Sequence, residues 1–176
     1  MSVEGAGVLG NRDVLEWFQL YSDVIYQFLI YRTGSADVED LVQEVFIKAM
    51  KGIERYEGNA SPKTWLFSIA RNVAIDEIRR RKRYRIKNLL FESQHTRETI
   101  NNPEEILLLN EENKYIFRVI QSLKAAYRDV LIMRGIQQLS VAEAAAALEW
   151  NENKVRSTYH RARKALKQRL GGISDE

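Results

Sequence analysis

The sequence predicts an all-α chain of two small helical domains joined by a linker, the C-terminal one a helix-turn-helix. Three observations carry this. Apolar residues recur at intervals of three and four along most of the chain and nowhere alternate as in a strand. Glycine and proline, which punctuate turns, number only 9 and 2 in 176 residues. A polar stretch, ESQHTRETINNP at 92–103, interrupts the periodicity. The domains are accordingly placed at 1–90 and 113–176, with 91–112 as the linker.

A first helix is expected from Asn11 to Tyr31, burying Val14, Phe18, Tyr21, Ile25 and Phe28. A second begins after Ser35 and buries a stripe of Val38, Leu41, Val42, Val45, Ala49 and Ile53. Ser61 and Pro62 supply an N-cap and first-turn proline for a third, which buries Leu66, Ile69, Ala70 and Val73 and runs into a basic block. Beyond the linker, Asn102-Pro103-Glu104-Glu105 repeats the start signal, and one helix is expected through Ile106, Leu109, Ile116 and Ile120. A short helix around Tyr127–Arg134 follows. Ser140 and Glu143 fit a capping box for an alanine-rich helix. After a turn at Glu149-Trp150, Asn151 caps a last helix that Gly171-Gly172 stops.

Charge narrows the function. The net formal charge is only +3, but it is distributed in blocks. Residues 13–57 carry nine acidic and four basic side chains, whereas RRRKRYRIK at 79–87 has seven basic residues in nine. From Glu92 to Glu112 there are six acids against one base; from Lys154 to Arg169 there are seven bases and no acid. Such blocks suggest separate surfaces for separate partners. The absence of cysteine excludes disulfides and thiolate metal sites, and a reducing cytoplasm fits. Neither a signal peptide nor a run of the ~20 apolar residues needed to cross a bilayer is expected. A nucleophile–base pair, a phosphate-binding glycine loop and a metal cluster are all missing, so neither an enzyme nor a cofactor is expected.

In the last helix Val155, Tyr159, Ala162, Leu166 and Leu170 form an apolar stripe. Arg156, His160, Arg163 and Lys167 repeat its spacing one residue on, joined by Ser157, Arg161 and Lys164. A solvated face would intersperse glutamates; arginines beside serine and histidine can read base edges. Two helices joined by a short turn, the second basic, match a recognition helix entering the major groove. In the second helix Glu39, Asp40, Gln43 and Glu44 oppose the buried stripe, and Ile47 sits among them. An apolar residue within a ring of acids suits a docking surface for a basic partner.

The segments LSVAEAAAAL and NKVRSTYHRARKAL resemble the C-terminal DNA-binding region of extracytoplasmic-function RNA polymerase sigma factors. DVEDLVQEVFIKAM and SPKTWLFSIARNVAIDEIRRRKR resemble the promoter-melting and polymerase-binding domain of the same family. Where that family's turn usually carries glycine, this chain has Glu149. The resemblance implies a transcription initiation factor with core RNA polymerase and promoter DNA as partners, and an anti-sigma factor as a further candidate partner. It assigns Asp40, Gln43, Glu44 and Ile47 to the clamp helices of the polymerase largest subunit. In the loop RYEGNASPKTW and the helix after it, Asn59, Ser61, Lys63 and Asn72 become candidates for a flipped minus-ten base, beside Trp65, itself expected in the core. Arg71, Arg79 and Arg80 become candidates for the DNA backbone. Asn153, Lys154, Arg156, Ser157, His160, Arg161, Arg163 and Lys167 are assigned to the minus-thirty-five element. An ordinary DNA-binding regulator is the competing reading, but it leaves the arginine run and the acidic helix without a purpose.

Overall fold

The computed structural model describes residues 9–90 and 102–171; residues 91–101 of the expected linker and Gly172 of the stop signal lie outside the described residues. Helix α1 (Asn11–Thr33) ends at Gly34, whose φ of 69° lets its N–H reach Ile30 O at 2.8 Å. Val14, Trp17, Ile25 and Phe28 form its buried face. Phe18, expected in the core, is 43% exposed. At about 100° per residue the buried stripe passes through Trp17 and Tyr21, which turns Phe18 one step outward. There it packs edge-on against Phe46, 4.9 Å between ring centres.

Helix α2 (Glu39–Gly52) buries the expected stripe and runs into a 3-10 turn at Ile53–Arg55. Helix α3 (Pro62–Leu90) starts where the cap signal places it, Ser61 Oγ accepting from Thr64 N at 3.2 Å. These three helices pack on one another, with Phe28 edge-on to Phe67 at 5.4 Å. Burying each of those two rings, both 0% exposed, contributes roughly 1.5–3 kcal/mol.

The single helix expected from Pro103 to Ile120 is broken into α4 (Pro103–Ile106) and α5 (Glu111–Ser122). Leu108 turns left-handed at φ 52°, and Asn110 caps α5 by accepting from Asn113 N at 2.8 Å. An N-cap signal therefore overrides a periodicity that continues across it. Helix α6 (Ala125–Val130) continues into a π-helical segment, Leu131–Ile136. Helix α7 (Val141–Leu148) carries the expected capping box: Ser140 N donates to Glu143 Oε2 at 2.7 Å and Glu143 N to Ser140 Oγ at 3.0 Å. Helix α8 (Glu152–Gly171) is capped by Asn151 and packs on α5, α6 and α7. The turn before it holds Glu149 at φ 56°, the left-handed conformation that glycine adopts most easily.

The two helical units are docked. Helix α7 lies against α3, and α1 meets both α5 and the π-helical segment. Tyr31 and Phe117 meet edge-on at 5.0 Å, Gln121 Nε2 donates to Tyr31 O at 2.6 Å, and Gln137 Nε2 donates to Gln27 Oε1 at 2.8 Å. Gly34 lies at this contact, its left-handed φ of 69° favouring glycine, with the end of the flexible Gln121 side chain close by.

Candidate nucleic-acid interface

Helix α8 buries Val155, Thr158 and Ala162, so its opposite face is turned outward. Asn153, Lys154, Arg156, Ser157, His160, Arg161, Arg163 and Lys167 are all exposed. Several are ordered by neighbours on the same helix or in the turn before it. Arg156 Nη2 donates to Glu152 Oε2 at 2.5 Å, Arg161 Nη2 donates to Ser157 Oγ at 3.3 Å, and Lys154 Nζ stands 4.2 Å from the centre of the Trp150 ring. The two unforeseen partners, Glu152 and Trp150, keep the cations splayed along the helix start without burying them.

The loop before α3 forms a shallow recess of about 210 Å³ lined by Arg55, Tyr56, Glu57, Asn59, Ala60 and Trp65. Tyr56 and Trp65 lie 4.7 Å apart, and both meet Trp17 edge-on, at 5.6 and 6.1 Å. The Tyr56 hydroxyl donates to Ala60 O, folding the loop back over the aromatic pair. Burial, with Tyr21 adding to it, raises the Tyr56 phenol above its ordinary value, so it stays a neutral donor. Of the expected pocket residues, Asn59 and Trp65 line the recess and Asn59 Nδ2 donates to Glu57 Oε2 at 3.0 Å. Ser61, Lys63 and Asn72 do not line it; Ser61 is occupied as the α3 cap, and Asn72 is exposed further along α3. Tyr56 went unassigned although it lies in the loop that the sequence singled out: an aromatic opening a polar loop is the signal.

The arginines of α3 differ among themselves. Arg79 is exposed. Arg80 grips Glu77 with two hydrogen bonds, at 2.7 and 2.9 Å, and Arg81 adds a third at 2.5 Å. Burial would raise the Glu77 carboxyl, but these hydrogen bonds and the arginine charges bring it below its ordinary value. Arg71 points to the other unit, where its Nε donates to Asp129 Oδ2 at 3.0 Å. From Lys82 to Lys87 every side chain is exposed, so α3 ends in a basic arm.

On α2, Asp40 and Gln43 are exposed, Glu44 pairs with Lys48 at 3.2 Å, and Ile47 is 49% exposed. The acids before and at the start of α5 are partly neutralised from within: Arg118 holds the buried Glu104 through two hydrogen bonds of 2.7 Å, and Lys114 holds Glu111 at 2.8 Å. Among the described residues, no helix is long and apolar enough to cross a membrane.

Residues 17–84 match the family model for sigma-70 region 2, and residues 113–166 that for sigma-70 region 4. The chain is 37% identical over 169 residues to the ECF RNA polymerase sigma factor SigX of Bacillus subtilis, covering 92% of this chain and 87% of that protein. It is 34% identical over 143 residues to the ECF RNA polymerase sigma-E factor of Escherichia coli K12, covering 77% and 75%. Its fold is similar to that of RpoE from Bartonella quintana, solved in complex with the anti-sigma factor NepR. That similarity has a TM-score of 0.69 at 24% identity and covers 94% of this chain and 99% of the other.

Proposed function

The chain belongs to the extracytoplasmic-function family of RNA polymerase sigma factors, and we propose how its residues divide that family's work. It is a transcription initiation factor that binds core RNA polymerase and directs it to promoters bearing minus-ten and minus-thirty-five elements. The first unit, within 1–90, takes the minus-ten element and the polymerase; 91–112 connects; the second, within 113–176, takes the minus-thirty-five element. The observation that carries this division is the aromatic recess at Tyr56 and Trp65, set on the unit that bears the basic helix α3. Stacking on such a ring is worth about 1–3 kcal/mol per base, enough to offset part of the cost of unpairing it.

Within this reading Asn59 and Trp65, with Tyr56 added, hold a flipped base, and Arg79 with the arm beyond it follows the single strand. Arg156, Ser157, His160 and Arg161 face base edges; Asn153, Lys154, Arg163 and Lys167 face phosphates or the groove margin. Asp40, Gln43, Glu44 and Ile47 dock on the clamp helices of the polymerase largest subunit. The chain makes and breaks no bonds itself, and it acts in the cytoplasm, where polymerase and promoter meet. RpoE was solved with the anti-sigma factor NepR, which supports an anti-sigma protein as a regulator here as well.

The test is transcription from a specific promoter by core polymerase with and without the purified chain. Initiation that needs the chain, weakens with Ile47→Asp through loss of core binding, and loses open complexes with Tyr56→Ala is the expected result. Tight, specific duplex binding by the free chain, with no effect on polymerase, would establish the ordinary-regulator reading instead.

A further inference from the structure

At the seam between the units the carboxylate of Asp129, 1% exposed, lies between two guanidinium groups of the first unit. Arg32 Nε donates to Oδ1 at 2.5 Å and Arg71 Nε to Oδ2 at 3.0 Å. Arg32 is itself only 4% exposed, although it stands at the end of α1, whose sequence neighbours give it no acid. One α6 carboxylate thus receives an arginine from α1 and another from α3. Two arginines converging on the two oxygens of a single anion is the geometry with which proteins hold a phosphate.

We propose that Arg32 and Arg71 form a phosphate fork for the DNA backbone, and that Asp129 is its intramolecular stand-in, latching the two units together until nucleic acid replaces it. Another residue of the same helix, Arg128, supports a contact built to open. Arg128 donates to Arg32 O at 3.2 Å and to Gln121 O at 2.5 Å, yet its Nε is buried without a hydrogen-bond partner. Burial, with Arg32 close by, also pulls its guanidinium below the ordinary value. The docked seam therefore carries three arginines for one carboxylate, an excess of positive charge that a polyanion relieves.

Geometry requires such an opening. Helix α7 touches both α3 and α8, so α3 and α8 approach within two helix spacings of each other, at most about 20 Å. Elements about 25 base pairs apart are separated by roughly 85 Å along B-form DNA. The docked units cannot occupy both. The proposal takes its ligand, the DNA backbone, from the promoter-factor reading; the latch itself is tested without polymerase, so the two can fail separately.

Because the chain has no cysteine, Glu54→Cys with Gln168→Cys gives a clean dye pair, one on each unit of the full chain. Asp129→Asn should lower energy transfer between the dyes while helicity by circular dichroism is kept. It should also tighten binding of a mixed-sequence 20-nucleotide single strand several-fold at fixed salt. Adding Arg32→Ala and Arg71→Ala should remove that gain and make the salt dependence shallower by about 1.4, which is 0.7 for each of two phosphates. If Asp129→Asn does not fold, Gln121→Ala with Gln137→Ala, which loosens the seam and keeps every charge, supplies the same readings. Unchanged transfer in the variant that folds would overturn the latch. Opening with no gain in oligonucleotide affinity, or a gain that survives loss of both arginines, would overturn the phosphate fork.

Discussion

Glu149 occupies a left-handed turn position at φ 56°, where its N–H and that of Trp150 close α7 on Ala146 O and Ala145 O at 3.3 and 2.9 Å. A side chain there costs about 1 kcal/mol relative to glycine, part of which glycine returns through its freer unfolded state. Glu149→Gly should therefore raise stability by about 0.5–1 kcal/mol, read as a higher urea midpoint with an unchanged slope. On the next helix, Arg156→Ala and Arg161→Ala should each cost about 1–3 kcal/mol at the preferred promoter and relax the preference at one position of a randomised site. Lys167→Ala should weaken all sequences alike. Equal losses on every sequence from all three variants would remove base reading from α8. Residue by residue, the exposed face of α8 was legible because a helix of known cap and stripe fixes which side chains point away. The destination of Arg71 was not, because its partner is 58 residues distant and only the tertiary fold brings Asp129 beneath it.

At the scale of elements, caps were the most legible feature: Ser61, Asn102, Ser140 and Asn151 all accept the backbone hydrogen bonds that their positions promised. The break between α4 and α5 was not legible, since Ile106, Leu109, Ile116 and Ile120 keep helical spacing across it. Phe18 was misplaced for a related reason: Trp17, one position away, serves the core stripe as well. Helix α3 depends on the Glu77 cluster midway along it, where Arg81 also reaches Asp37 O at 3.3 Å and ties the helix to the start of α2. A carboxyl held below its ordinary 4.5 binds its proton less readily in the folded chain than in the unfolded one. Its contribution is therefore complete above that ordinary value and is lost as pH falls through the lower folded value. Urea midpoints measured between about pH 6 and pH 3 should fall with acid, and Glu77→Gln should flatten that part of the profile. An identical acid limb in Glu77→Gln would assign the loss to other carboxylates.

For the whole molecule, the docked state is what the isolated chain presents to its partners. Among the described residues one apolar core passes from Phe28 and Phe67 to Phe117 and Val155, so heating should produce one transition, and Asp129→Asn should split it into two. A calorimetric scan of both proteins decides this. The sequence did divide the chain into two units, because composition changes between them; it could not show that the units meet, because the seam is made of ordinary core residues and four scattered charges. The seam also bears on how such a protein changes over generations. If only the opened form engages polymerase and DNA, apparent affinity falls in proportion to the fraction open. Substitutions at Gln27, Tyr31, Gln121 or Gln137 would then raise or lower promoter output without touching a base, a phosphate or the enzyme. Natural variation in the strength of response would gather there, while the sequence preference of the recognition helix stayed fixed.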